Sequence, residues 1–279
     1  MSDLVLNTFG LRRHPFTVDI DVDGLFAFQS FQQGALRMEQ AARQKGSILV
    51  VADPGTGKTA LLRSVVKRLA SSSFSVFEQL VPAVQSPVRA AVEGLLTQLG
   101  EPLPFNNTAR ALAKLKQAML GVAEKQRTPV LILDDVHHLS TNCWLTLKTL
   151  MNYELDSKMP LLLVFLGGPE TLRKLNFNAL EEVRDRLSSC FYLKGLQAKE
   201  VAPYLEQRLK WAGAKRPIFP GDVADELGRY AQGNPRRVNR LASICLLAAA
   251  SQGRKLVDRE CLDAAVSEVQ FQQPQREEG

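Results

Sequence analysis

The 279-residue chain reads as an α/β domain followed by an all-helical one. Continuous apolar runs of strand length stand at 48–51, 130–133 and 161–166, with helical periodicity between them. Each run is uniformly apolar rather than alternating, as expected of parallel strands buried on both faces. From Gln197 onward the pattern is wholly helical, broken by turns at 213–220, at Gly233-Asn234-Pro235 and at Gly253. The expected division is therefore 1–196 for the α/β domain, 197–269 for the helices, and a polar, disordered tail over 270–279.

Taken in order, 1–46 precedes the first core strand, with turns around Gly10 and Pro15 and then a helix over 33–44. That helix carries a stripe of Ala35, Leu36, Met38, Ala41 and Ala42. After the 48–51 strand and its loop, residues 60–67 are helical. Residues 74–80 alternate and read as a strand. Ser86 is the expected N-cap of a helix ending near Leu99. A loop over 101–107 leads to Thr108, the expected cap of a helix with Ala109, Leu112, Leu115, Met119 and Val122 on one face. The 129–136 run, the 161–166 run and 190–193 supply the remaining strands, with a helix end at 180–187 between the last two.

The loop after the first strand carries the chemistry. Asp53-Pro54-Gly55-Thr56-Gly57-Lys58-Thr59-Ala60 joins a buried strand to a helix N-terminus, the context a phosphate-binding loop requires. Backbone N–H groups and the helix dipole there cradle phosphate oxygens. Lys58 is placed for the β- and γ-phosphates and the Thr59 hydroxyl for Mg²⁺. The pattern normally opens with Gly, and here that position is Ala52. A second landmark is Asp134-Asp135 at the end of the 129–136 run, where open α/β sheets bind ligands. Asp134 is the expected Mg²⁺ carboxylate, and Asp135 stands where a residue polarises the attacking water. His137 and His138 read as polar packing at the sheet edge.

Net charge is +6. Eight Lys/Arg against three Asp/Glu lie between Arg184 and Arg216, and four arginines with no acid between Arg229 and Arg240. Charge alone does not decide between nucleic-acid contact and a solvated basic face. Cys143, Cys190, Cys245 and Cys261 are scattered, as for reduced cytoplasmic thiols rather than a disulfide frame or zinc site. No apolar run has transmembrane length and no secretory signal is visible, so a cytoplasmic protein without membrane contact is expected.

Five motifs in order carry a resemblance. They are Phe9-Gly10-Leu11 with Pro15-Phe16, the phosphate loop, Asp134-Asp135, the stretch Leu166-Gly167-Gly168-Pro169-Glu170, and Gly233-Asn234-Pro235-Arg236-Arg237. Together the chain resembles the AAA+ branch that holds ExeA-type ATPases and the transposition regulators TnsC, TniB and MuB. The resemblance implies an α/β P-loop fold with a five-stranded parallel sheet between helices and a small helical lid. It implies homo-oligomeric rings or filaments with ATP and Mg²⁺ between neighbours. Pro15 and Phe16 would lie against adenine. Arg186 matches the arginine finger that completes the neighbour's site, with Arg184 as the fallback. Arg236 matches the lid arginine that reads the γ-phosphate, while Arg237 is equally placed to face DNA.

Most relatives carry Glu at the position of Asp135 and a polar residue at that of Gly168. Slow or partner-stimulated hydrolysis is therefore expected. ExeA-type proteins carry a membrane span and a peptidoglycan-binding domain, and neither is in these 279 residues, which favours the transposition regulators. The expected function is ATP-dependent, sequence-indifferent binding of duplex DNA and recruitment of a transposase. Arg89, Thr108, Arg110 and Lys114 are the candidate contacts. The other expectation is an ExeA-like secretion accessory or helicase loader acting on a protein partner.

Overall fold

The computed structural model describes residues 2–17, 20–69, 73–85, 87–103, 107–151 and 161–271. In chain order the elements are α1 (Ser2–Phe9), α2 (Gln29–Gln44), β1 (Ser47–Ala52), α3 (Lys58–Leu69), β2 (Phe74–Leu80), α4 (Pro87–Gln98), α5 (Thr108–Glu124) and β3 (Thr128–Asp134). There follow α6 (Thr141–Met151), β4 (Leu162–Gly167), α7 (Pro169–Leu175), α8 (Glu181–Asp185), β5 (Ser189–Leu193), α9 (Ala198–Ala212), α10 (Gly221–Ala231), α11 (Pro235–Ser251) and α12 (Arg259–Phe271). The expected Ser86 cap, part of the 101–107 loop and the tail beyond 271 lie outside the described residues. Helix α12 runs to Phe271, past the expected start of the tail at 270.

Contacts divide the chain into two compact units. One is Phe31–Pro54 with Lys58–Lys194; the other is Met1–Ser30, Gly55–Gly57 and Gly195–Gly279. The N-terminal stretch, expected within 1–196, thus groups with the C-terminal helices.

In the first unit five parallel strands run in the order β2-β3-β4-β1-β5. This is a P-loop α/β fold. The central strands β1 and β4 are buried at every position, which is why their sequences are uniformly apolar. One sheet face sends Leu49, Leu131, Leu163 and Phe165 into a core with Val92, Leu95, Leu115, Met119 and Trp144. Trp144 packs on Phe165 with ring centroids 5.2 Å apart. Helix α2 presses closely enough that a Cβ on Gly34 would stand 2.8 Å from Leu61 and Phe191, so no larger residue fits without displacement.

Two details differ from the sequence expectation for local reasons. Asn107, not Thr108, caps α5, its Oδ1 accepting from the Arg110 N–H at 3.0 Å. Ala52, in place of the usual loop glycine, is the last residue of β1, where no positive φ is required.

In the second unit a buried arginine ties the N-terminal stretch to the helices. Arg208 on α9 is 3% exposed. Its Nε donates to the Pro15 carbonyl at 2.6 Å and its Nη2 to the Thr17 carbonyl at 2.7 Å. Burial pushes its pKa below the ordinary arginine value. Phe16 packs edge-on to Phe219 at 6.2 Å. Helix α9 opens with a capping box between Gln197 and Glu200. Helix α11 opens with Asn234 accepting from the N–H groups of Arg236 and Arg237, and Pro235 follows at the first helical position. No helix of the described residues is long and apolar enough to cross a membrane.

Arg208→Ala should lower the unfolding free energy by about 2–4 kcal/mol, because two charge-assisted hydrogen bonds to buried carbonyls vanish. Urea denaturation followed by circular dichroism reads this. A change below about 0.5 kcal/mol, the usual size of a surface substitution, would contradict it.

Candidate functional site

The end of β1 delivers the chain into a loop whose backbone only glycine accommodates easily. Gly55 has φ +85° and Gly57 has φ +105°. The side chain of Thr56 between them is buried, and α3 begins at Lys58. Asp53 at the loop's start is held from β5: the Tyr192 hydroxyl donates to its Oδ2 at 2.7 Å. Burial, then the hydrogen bond and charge of Asp53, push the Tyr192 phenol up to about 12.

Lys58 is the centre of the site. Its Nζ lies 2.8 Å from Asp134 Oδ1 and 2.9 Å from Asp135 Oδ1. Burial alone would lower the pKa of its ammonium. The hydrogen bonds and charges of Asp134, and then of Asp135, outweigh that and hold it above the ordinary lysine value. The carboxylates converge because β3 ends in an unusual turn. Asp135 adopts the left-handed conformation, φ 56° and ψ 38°, and its N–H donates to Asp134 Oδ1 at 2.7 Å. Asp is among the few non-glycine residues that take this conformation readily.

Thr59 is exposed. The Thr59 hydroxyl and the Asp134 carboxylate are both hard oxygen donors, the kind Mg²⁺ takes in ones and twos beside substrate phosphates. Among the described residues, no group of three or more His, Cys, Asp or Glu could hold a metal by itself. The residues present fit a metal that arrives with a polyphosphate.

The remaining predicted residues are placed as follows. Pro15 and Phe16 line a cavity of about 200 Å³ with Val5, Ser243 and Leu246. Arg236 is exposed on the first turn of α11, its N–H donating to the Gly55 carbonyl at 3.2 Å. A Cβ on Gly55 would stand 2.7 Å from that of Arg236, a second reason for glycine there. The Arg186 carbonyl accepts from the Ser47 hydroxyl, and its side chain is half-buried. Arg184, the fallback, donates to its own unit's Leu175 carbonyl at 2.8 Å.

The four candidate DNA contacts do not form one cluster. Arg89 and Thr108 line a cavity of about 660 Å³ among α4, α5 and α6. Lys116 joins them there, missed in sequence because it lies two turns beyond Thr108. Arg110 and Lys114 are not in its lining, and Lys114 is turned to the Pro102 carbonyl and to Glu101. Arg89 itself pairs with Glu93 at 2.7 Å.

With this geometry in place, comparison with known proteins is informative. Residues 41–175 match the AAA domain family. That stretch, just under half of the chain, holds Lys58, Asp134 and Asp135, whereas Arg186 and Arg236 lie beyond it. Over 266 residues the chain is 25% identical to General secretion pathway protein A of Aeromonas hydrophila, covering 94% of this chain and 48% of that protein. The chain thus spans about half the length of the curated relative it matches. The Aeropyrum pernix ORC2 protein, solved as ADPNP–ADP complexes, is similar over 92% of this chain and 71% of that one, with TM-score 0.69 and 17% identity. The Aeropyrum pernix ORC1 protein in complex with DNA is similar over 91% and 68%, with TM-score 0.67 and 17% identity. At such identities the likeness is one of fold.

Replacing Lys58 with Ala should weaken ATP binding at least tenfold, about 1.4 kcal/mol or more, while far-UV circular dichroism stays unchanged. Titration with a fluorescent ATP analogue measures it. Wild-type affinity in the folded variant would remove Lys58 from the site.

Proposed function

We propose that the chain is an ATPase of the AAA+ type that assembles with copies of itself and grips duplex DNA when ATP is bound. One observation carries the nucleotide reading: the half-buried loop lysine lies against the paired carboxylates at the C-terminal end of β3. Asp134 and Asp135 satisfy Lys58. When triphosphate enters the loop, Lys58 can turn to the β- and γ-phosphates and the carboxylates are released for their own tasks. Mg²⁺ would supply charge neutralisation of the phosphates, with Thr59 and Asp134 as its protein ligands. Asp135 would polarise the attacking water, and its side chain, one methylene shorter than Glu, makes turnover slow. Arg186 would complete a neighbour's site and Arg236 would read the γ-phosphate within one chain.

The DNA reading is supported by Arg89 and Lys116 around one cavity with no carboxylate among the described residues of its lining, and by the net charge of +6. Assembly would align many weak phosphate contacts along one duplex. Recruitment of a transposase is the finer role that the family resemblance implies. A second reading, action on a protein partner, is favoured by the likeness to a general secretion pathway protein.

One experiment separates the two. Purified protein is titrated with random-sequence duplex at about 50 mM salt, where phosphate contacts are least screened, with and without a non-hydrolysable ATP analogue. The DNA reading expects analogue-dependent binding, insensitive to sequence, and slow ATP turnover that duplex stimulates. The Arg89→Ala/Lys116→Ala double variant should lower the salt slope by up to about 2, at about 0.9 per lost phosphate contact. Failure to bind duplex with analogue present would sink the DNA reading and leave the protein-partner one.

A further inference from the structure

The sequence has Gly168 where the resemblance implies a polar side chain, so one contact of the site looks missing. The structure fills that space from two residues on. A Cβ on Gly168 would stand 2.4 Å from Glu170 Oε1 and 2.7 Å from Oε2, so the Glu170 carboxylate is folded back over the residue that follows β4.

That carboxylate faces His137. The His137 Nδ1 atom lies 3.9 Å from Glu170 Oε1 and 3.7 Å from Asp135 Oδ1. It is buried and has no hydrogen-bond partner among the described residues. The ring cannot drift far. His138 packs against it, with ring centroids 4.1 Å apart and planes tilted by 42°. Lys174 donates to the His137 carbonyl at 2.6 Å and the Leu139 carbonyl at 3.1 Å, fixing the short turn that carries it. A nitrogen lone pair aimed at two carboxylate oxygens would be repelled by both, so Nδ1 must carry the proton. That leaves one N–H facing two acceptors, bonded to neither. Burial and the neighbouring His138 push the imidazole below its ordinary pKa, against the pull of Asp135 and Glu170, which keeps the ring neutral with a single proton to offer.

Asp135 is the acceptor whose situation changes. Its Oδ1 is bound by Lys58 at 2.9 Å, and Lys58 is the group a triphosphate would draw away. We propose that His137 and Glu170 are positioning residues for Asp135: once Lys58 turns to phosphate, the His137 Nδ1–H donates to Asp135 and orients it toward the attacking water, while Glu170 holds the imidazole in the required tautomer. This rests on the reading that the chain hydrolyses ATP. It gives the short Asp135 side chain a fixed direction, and it gives Glu170 the place left open at Gly168. A buried donor left unbonded is what a contact formed only in the catalytic arrangement would leave behind.

Two measurements test it. The first needs no nucleotide. In protein labelled with ¹⁵N-histidine, the His137 signals, assigned by their loss in His137→Asn, should show the Nδ1–H tautomer at neutral pH. In Glu170→Ala they should move toward the Nε2–H form that a free imidazole prefers. An Nε2–H tautomer in the wild type overturns the proposal.

The second is steady-state hydrolysis. His137→Ala and Glu170→Ala should lower kcat at least about tenfold with KM changed less than about twofold, the mark of an interaction made in the transition state. His137→Asn, which keeps an N–H near the Nδ1 position, should recover most of the rate, and His137→Gln should not. Unchanged kcat, or equal loss in all four variants with KM rising in step, overturns the proposal. If the wild type binds ATP without hydrolysing it, the ATPase reading itself has failed, and the tautomer still decides whether the two carboxylates hold His137 as inferred.

Discussion

A single ammonium group shared by two carboxylates holds the site together. Lys58 begins α3, and Asp134 and Asp135 end β3, so their meeting requires the strands to be in register and the loop to turn on Gly55 and Gly57. The parallel pairing of β3 with β4 and of β4 with β1 sets that register. The left-handed turn at Asp135 is the local cost of pointing a second carboxylate at the same lysine. An ion pair at this depth is a poor source of stability, since desolvation offsets most of its Coulomb energy. It makes sense as a latch that a stronger anion can open.

Much of this was legible in the sequence because the signals are local. Uniform apolar runs mark buried parallel strands. The loop glycines mark positive φ, and paired aspartates after an apolar run mark a strand's C-terminal end. What was not legible depends on through-space proximity. Gly168 looked like a lost contact because nothing in the sequence shows that Glu170 folds back over it. His137 looked like edge packing because nothing in the sequence shows that Glu170, from α7, reaches it. Thr108 looked like a cap because Ser, Thr, Asp and Asn all cap helices, and only the backbone shows that Asn107 is the residue outside the helix. The N-terminal stretch was assigned by its place in the chain, whereas its partner is Arg208, nearly two hundred residues away.

The basic residues divide in the same way. Composition indicates a surplus but not its use. Lys114, Arg184 and Arg208 turn to backbone carbonyls of their own units. Arg89 pairs with Glu93 and lines a cavity together with Lys116. The curated relative is about twice as long as this chain. The lack of a membrane-length helix among the described residues therefore does not separate a DNA-acting protein from a secretion-type one.

The most direct test of the central claim, that phosphate and carboxylates compete for Lys58, is the affinity for ATP without Mg²⁺. Calorimetric titration in chelator would compare the wild type with Asp135→Asn. If the carboxylates compete, neutralising Asp135 removes a rival and a repulsive charge, and Mg²⁺-free ATP should bind at least about threefold tighter, roughly 0.6 kcal/mol. Equal or weaker binding by the folded variant would mean that Lys58 is not held from its ligand by Asp135, and the latch would be wrong.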